Sequence, residues 1–289
     1  MLSDMKWATR QRMQFIEVMA YFSGVVTRSD VAKAFAISDA AATKDLKLYG
    51  EIAPENLQYK HSVFGFVPTA AFSPAFADLS PATVLPLLEA NQTISGSPNP
   101  DESIFEIPTA NMQLPNRLPN KEVLCQITRA IYGHKQLKVN YRSLTDNKKS
   151  SRVIEPHSLV NTGFRWHVRA YNQDTFDFRD FVLSRFEEAN CLSIDAESRA
   201  SYDEDWTEVI TLKLSPHPKL DEKQQMSLLI DYNAKDDVIE VKLRRALIGY
   251  LLRQLSVDTS SDHSQDPKQF QLIVLNREEV EPFASWAFD

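Results

Sequence analysis

A chain of 289 residues suits two or three domains of ordinary size, each able to bury its own core. Its 43% hydrophobic and 25% charged residues are those of a globular protein, and no apolar run approaches the roughly 18 residues that a bilayer span requires. The net charge of −7 argues against a phosphate-binding protein until it is divided, because residues 1–70 carry +1, 71–120 −4, 121–187 +5 and 188–289 −9. Phosphate responds to local potential, so the basic middle of the chain is the place for an anion.

Residues 1–30 contain no apolar stretch of the secretory type. Cys125 and Cys191 lie far apart without metal-ligand spacing and read as two reduced thiols. A cytoplasmic protein is the expectation.

Residues 7–22 place Trp7, Phe15, Ile16, Val18, Met19 and Phe22 at mostly helical spacing, with Arg10 and Arg12 on the other side. Gly24 ends that helix. Thr27 and Asp30 form a capping-box start for a helix over residues 28–35. Ser38 caps a third helix that runs to about Tyr49, with Gly50 as its stop. Two short helices around a tight turn are a helix-turn-helix. Ala42, Leu46 and Tyr49 pack inward, which leaves Asp39, Ala40, Thr43, Lys44 and Lys47 outside, where a recognition helix meets bases and phosphates. Asp39 opposes phosphate and reads better as a helix-terminal acid. Residues 57–67 are two β-prone runs around a tip at residues 60–62, closed by Pro68: a wing. The candidate DNA-contacting set is Arg10, Arg12, Arg28, Ser38, Ala40, Thr43, Lys44, Lys47, Tyr59, Lys60 and His61.

Residues 80–91 predict a short helix within proline-rich linkers, of which residues 96–101 and 108–119 are turn-rich. Residues 121–133 form an amphipathic helix with Val123, Leu124, Ile127, Ala130 and Ile131 on one side. The period then becomes two: strands are expected around Leu137, Val139 and Tyr141, over 153–160, over 164–171 and over 178–186, with a polar loop at 143–151. In the third of these, Arg165, His167 and Arg169 share one face and Trp166, Val168 and Ala170 the other. Three cations or potential cations on one face predict a surface that meets water or a ligand. Arg179 and Arg185 would alternate with Phe181 and Leu183 on a mixed face that needs a bulge or a corner. The acidic last third reads as strands at 209–214, 238–242 and 271–275 with helices at 221–229 and 244–255, suited to dimerisation or to a lid.

No HExxH, GxGxxG, Walker or G-x-S-x-G pattern is present, and seven glycines leave little for a phosphate-cradling loop. No catalytic residue, metal or cofactor is expected.

The order helix-turn-helix, wing, linker, tyrosine strand, X-Pro-His-Ser strand, tryptophan strand and R-x-F-x-L-x-R strand resembles WYL-domain transcription regulators. It is most similar to repressors found beside BREX and CBASS phage-defence operons. In the N-terminal part the likeness rests on Trp7, Arg10, Arg12, Phe15, Ile16 and the runs SDVAKAFAIS and KDLKLYGEIAPENLQYK. R-x-F-x-L-x-R is present from Arg179 to Arg185, whereas the Trp-Tyr-Leu triplet is Trp166-His167-Val168 here. The resemblance implies an α+β protein: a winged helix-turn-helix over 1–70, a helical linker over 71–120, a WYL domain with an Sm-like β-barrel over 121–192, and an α/β dimerisation extension over 193–289. It also implies a ligand pocket at Tyr141, His157, Ser158, His167, Arg179 and Arg185, to which Ser143 at the rim and Arg169 are added. The expected function is a homodimeric repressor that binds an inverted-repeat operator in double-stranded DNA, relieved by an anionic effector such as a nucleotide or oligonucleotide. An activator, or an accessory subunit that senses nucleic acid for a partner enzyme, shares most of these features.

Overall fold

The computed structural model describes residues 5–89, 107, 109, 112, 114–144 and 150–288. Two compact units divide the chain, Met1–Gln113 and Leu114–Asp289.

In the first unit, α1 (Trp7–Ser23) ends at Gly24, which is left-handed with φ 78. Trp7 is 73% exposed, and the buried face begins at Met13. The Thr27–Asp30 capping box starts α2 (Arg28–Phe35), a cap worth about 1 kcal/mol. Ser38 caps α3 (Asp39–Ile52). This helix runs through Gly50, the expected stop, and closes at Ala53, whose N–H donates to the Tyr49 carbonyl at 2.8 Å. Glycine inside a helix costs only about 1 kcal/mol, and the added turn lets Ile52 pack against the core. Next come β1 (Leu57–Lys60), a 3-10 turn (His61–Val63) and β2 (Gly65–Pro68), antiparallel, with Phe66 bridging to Val26. This is a winged helix. Its core joins Met13, Ile16, Val31, Leu46 and Tyr49 to Phe76 and to Val84 of α4 (Pro81–Glu89). Positions 90–91 of the expected helix and the turn at 96–101 lie outside the described residues.

The second unit opens with α5 (Lys121–Gly133), capped by Asn120. Five strands follow: β3 (Lys135–Tyr141), β4 (Ser150–Asn161), β5 (Trp166–Asn172), β6 (Asp177–Val182) and β7 (Phe186–Asp195). They form one antiparallel sheet in the order β6-β5-β4-β3-β7, with α5 packed against β7, β3 and β4. Among the described residues no strand pairing joins β6 to β7, so what is observed is a five-stranded antiparallel sheet, the coarser part of the expected Sm-like barrel. The strand expected over 178–186 is broken. β6 stops at Val182, a 3-10 turn (Leu183–Arg185) buries Leu183, and β7, which sequence patterning missed, begins at Phe186. That turn resolves the mixed face, because Arg185 leaves the strand before alternation can place it beside Phe181.

The chain continues through a 3-10 turn (Ala200–Tyr202) and α6 (Glu204–Thr207) into a second sheet. Its strands are β8 (Val209–Pro216), β9 (Ile239–Arg244), β10 (Val257–Asp258) and β11 (Leu272–Val274), ordered β10-β11-β8-β9. The helices α7 (Glu222–Asp231), α8 (Ile248–Gln254) and α9 (Arg277–Ala284) complete it, around a core that includes Leu212, Leu214, Ile248, Leu252 and Val280. The helix expected from Arg244 begins only at Ile248, since β9 keeps Arg244 and a 3-10 turn takes the next three residues. No described helix is long and apolar enough to cross a membrane.

Candidate nucleic-acid interface and anion site

On the winged helix, Ala42, Leu46 and Tyr49 are buried, and Asp39, Ala40, Thr43, Lys44 and Lys47 form the exposed face of α3. Ser38 is exposed and accepts the Ala41 N–H at 3.2 Å, so its hydroxyl serves the helix end. Thr43 donates to the Asp39 carbonyl at 2.8 Å. Arg28 and Asp39, both well exposed, face one another at 3.5 Å. Arg10 is exposed on α1. Arg12 has a different surrounding: its guanidinium grips Asp45 through two bonds, at 2.6 and 3.2 Å, and fastens α1 to α3. At the wing, Lys60 and His61 are exposed, and the Tyr59 ring stands edge-on to His61 and Phe66. A cavity of about 620 Å³ separates α3 from the wing, with Arg28, Thr43 and Lys47 among its polar lining and Tyr59, Phe64 and Phe66 among its apolar lining.

Sequence patterning missed the fastening of this unit. The Glu17 carboxylate, fully buried, accepts the N–H groups of Ala75, Phe76 and Ala77 at 2.7–2.9 Å and the Tyr49 hydroxyl at 3.0 Å. Burial pushes the Tyr49 hydroxyl pKa up, and the Glu17 charge adds to that. The one signal available was a glutamate inside the apolar run of α1.

In the second unit the expected pocket residues separate into two groups. The first is neutralised by the chain's own acids. Arg169, only 6% exposed, donates to both Asp203 oxygens, at 2.7 Å from Nε and 3.0 Å from Nη2, and lies 3.5 Å from Asp180. His157 reaches the same Asp203 at 3.2 Å through Nε2 and Ser158 Oγ at 2.9 Å through Nδ1. Arg179 is held by Asp177 at 2.8–2.9 Å. Burial alone raises the Asp203 carboxyl, but the His157 and Arg169 hydrogen bonds and the arginine charge outweigh it and bring the pKa to about 2. Asp180 goes the other way: burial raises it more than Arg169 and the Tyr250 hydroxyl, 3.1 Å away, can lower it. Tyr141 is a core aromatic. Its hydroxyl accepts the Val182 N–H at 3.1 Å and its ring meets Phe181 and Phe186 edge-on. Ser143 is half-buried just past β3. Of the Arg165–His167–Arg169 face, expected to meet water or a ligand, His167 and Arg169 are withdrawn from water: Asp203, 34 residues downstream, closes over the arginine, and the Tyr250 ring lies against the histidine.

The second group has no such partner. Among the described residues no carboxylate pairs with Arg117, Arg165 or Arg185. The Arg165 pKa is pushed down by burial and then by the charges of Arg117 and Arg185. His167 is fully buried, lies against the Tyr250 ring at 4.8 Å between centroids, and has no hydrogen-bond partner at either ring nitrogen. Burial, followed by Arg165, Arg185 and Arg117, lowers its pKa to about 4. Two of the residues that precede it along the chain, Arg165 and Trp166, line a cavity of about 370 Å³ together with Pro115, Arg117, Asn161 and Phe164, among others. Trp166, expected to pack inward, is 38% exposed there. Like charges held together without counter-ions store repulsion that a bound anion relieves, and guanidinium groups suit phosphate. Arg165 was expected on the cationic strand face though not among the pocket residues, and Arg117 was expected in neither place; a lone cation among turn-forming residues gives no local signal.

Three family models match the chain. One described as the BrxR transcriptional regulator winged helix-turn-helix domain covers residues 8–90. The WYL domain covers 122–191, and the BrxR transcriptional regulator C-terminal dimerization domain covers 209–280. Among curated relatives, the DNA-binding transcriptional repressor CapW of Escherichia coli (strain KTE188) is 32% identical over 280 residues, 95% of this chain and 91% of the relative. The proteins of that name from Stenotrophomonas maltophilia and Pseudomonas aeruginosa are each 31% identical, over 96% and 95% of this chain and 93% and 91% of theirs. A solved structure, proteasome accessory factor B/C of Arthrobacter aurescens, aligns at 16% identity with a TM-score of 0.27, covering 97% of this chain and 48% of that one; at that score the likeness carries no weight. With the winged-helix, WYL and C-terminal dimerization models matched in that order along the chain, and relatives 31–32% identical over nearly all of it, this chain belongs to the BrxR/CapW family of WYL-domain transcriptional regulators.

Proposed function

We propose that this chain is a homodimeric, cytoplasmic DNA-binding repressor of a phage-defence operon, released from an inverted-repeat operator by an anionic effector, a nucleotide or oligonucleotide. The names of its relatives and the dimerisation-domain match support the repressor and the dimer. Two copies of α3 set by a two-fold axis meet two half-sites, which is why the operator is expected to be palindromic. Lys44, Lys47 and Lys60 supply phosphate contacts, and Ala40 and Thr43 stand where base edges would lie.

The observation that carries effector control is the cationic cluster Arg117, Arg165 and Arg185 beside the unpartnered His167. This shifts the effector site away from Arg169 and Arg179, whose charges are already matched. A ligand there changes DNA affinity only if it binds two arrangements of the dimer unequally.

Footprinting on DNA upstream of the chain's own gene tests the first half, with protection of one discrete palindrome as the expected result. A double variant, Arg165→Ala with Arg185→Ala, tests the second. It should bind the operator as the parent does and lose release by added oligonucleotide. Release at parental concentrations would place the effector elsewhere.

A further inference from the structure

The wing carries an unusual load of exposed apolar surface. Phe64 is 78% exposed, Tyr59 47% and Val63 45%, all within a hairpin whose strands are four residues each. Phe64 also adopts φ 50 at the end of the turn, a left-handed backbone that a bulky residue disfavours and that glycine or asparagine would supply freely. The hairpin is braced. Val26 and Phe66 exchange both backbone hydrogen bonds at 2.9 Å, and Gly65 lies so close to α2's approach that a Cβ would stand 2.6 Å from a Val25 methyl. A rigid strut therefore presents Phe64 outward, in a costly conformation, with most of its ring in water.

We propose that the wing is an apolar wedge for the minor groove of operator DNA, with Phe64 as its point. The inference rests on the DNA-binding reading above and goes beyond it. The cavity between α3 and the wing is about 620 Å³, room for a stretch of one sugar-phosphate strand. Arg28, Thr43 and Lys47 line one side and fit phosphate, whereas Tyr59, Phe64 and Phe66 line the other and fit deoxyribose. A single backbone strand separates the major groove from the minor. With α3 on the major-groove side of that strand, the wing lies on its minor-groove side. Apolar side chains in that position partly unstack a base step and bend the duplex. Lys60 beside the tip holds the flanking phosphate.

The physical signature separates this from an ordinary phosphate contact. A wedge removes apolar surface from water and releases no counter-ion, so it changes affinity at every salt concentration equally. Gel-shift titrations at several salt concentrations, together with a circular-permutation bending assay, use the full chain on its upstream DNA. Phe64→Ala should lose about tenfold or more in affinity with an unchanged slope of log affinity against log salt, and should lose the bend. Phe64→Leu should keep most of both. Lys47→Ala should instead lower the slope by about 0.9. Parental affinity and bend in Phe64→Ala would overturn the wedge, as would a changed slope. A parent that binds no DNA would sink both the wedge and the repressor reading, and a parent that binds while Phe64→Ala matches it would sink the wedge alone.

Discussion

Asp203 closes on Arg169 with both carboxylate oxygens, at 2.7 and 3.0 Å, and receives His157 on the same side at 3.2 Å. The pair lies under 10% exposed on both sides and ties β5 of the WYL sheet to the segment that leads into the C-terminal domain. Asp203 supplies Arg169 and His157, both expected in the ligand pocket, with a partner from the chain itself. A buried pair of this kind punishes the loss of one partner far more than the loss of both.

Asp203→Ala should therefore destabilise the second unit by about 3 kcal/mol in denaturant unfolding, because the buried Arg169 loses its bidentate partner and keeps only the longer contact to Asp180 at 3.5 Å. Replacing both partners, Arg169→Met with Asp203→Leu, should recover most of that. A single variant losing less than about 1 kcal/mol would mean that water screens the pair and the network holds little.

His167 sets an acid limit. Its pKa is about 4 in the folded chain against about 6.5 when unfolded, so the unfolded state takes the proton first. Stability is complete above about pH 6.5, falls as pH drops towards 4 by about 3 kcal/mol, and levels off below that. Asp203, with its pKa lowered to about 2, adds a further loss below about pH 4. Unfolding midpoints at pH 7.5, 6 and 5 should show the first decline, and His167→Phe should flatten it. Pyrophosphate, by offsetting Arg117, Arg165 and Arg185, should shrink it. A pH-independent midpoint in the parent would mean that His167 is solvated.

Arg12 and Lys44 should separate cleanly in a DNA-binding assay although both are cations of the winged helix. Lys44 is exposed, and Lys44→Ala should reduce the salt slope by about 0.9 without affecting folding. Arg12 is engaged with Asp45, itself 6% exposed, so Arg12→Ala should lower the melting temperature of the first unit and leave the slope unchanged. The reverse assignment would place Arg12 on phosphate.

Glu17→Gln should cost about 3 kcal/mol and release amide protection at residues 75–77. An amide offers one acceptor oxygen where four donors now converge on two, and it turns its own N–H groups towards the other two donors. Unchanged hydrogen exchange at Phe76 would show that the segment is held by packing alone.

What the chain's sequence determined by itself is what neighbours along the chain decide. The Thr27–Asp30 capping box, the Ser38 cap, the inward Ala42–Leu46–Tyr49 seam of α3 and the hairpin after it are all set within a few residues, by backbone donors and helical period. The motif runs that mark the family are of the same local kind. Tertiary structure alone decided which cations are spent. Arg169 and Arg165 sit on one alternating face and cannot be told apart by spacing, yet Asp203 arrives from 34 residues away to match the first, while Arg117 gathers against the second. Coulombic pairing and desolvation depend on distance in space and on what excludes water, and neither quantity is carried by periodicity. The 3-10 turn at Leu183–Arg185 follows the same logic: burial of Leu183 and Phe186 outweighed strand propensity and took Arg185 off the sheet, towards the unmatched cluster.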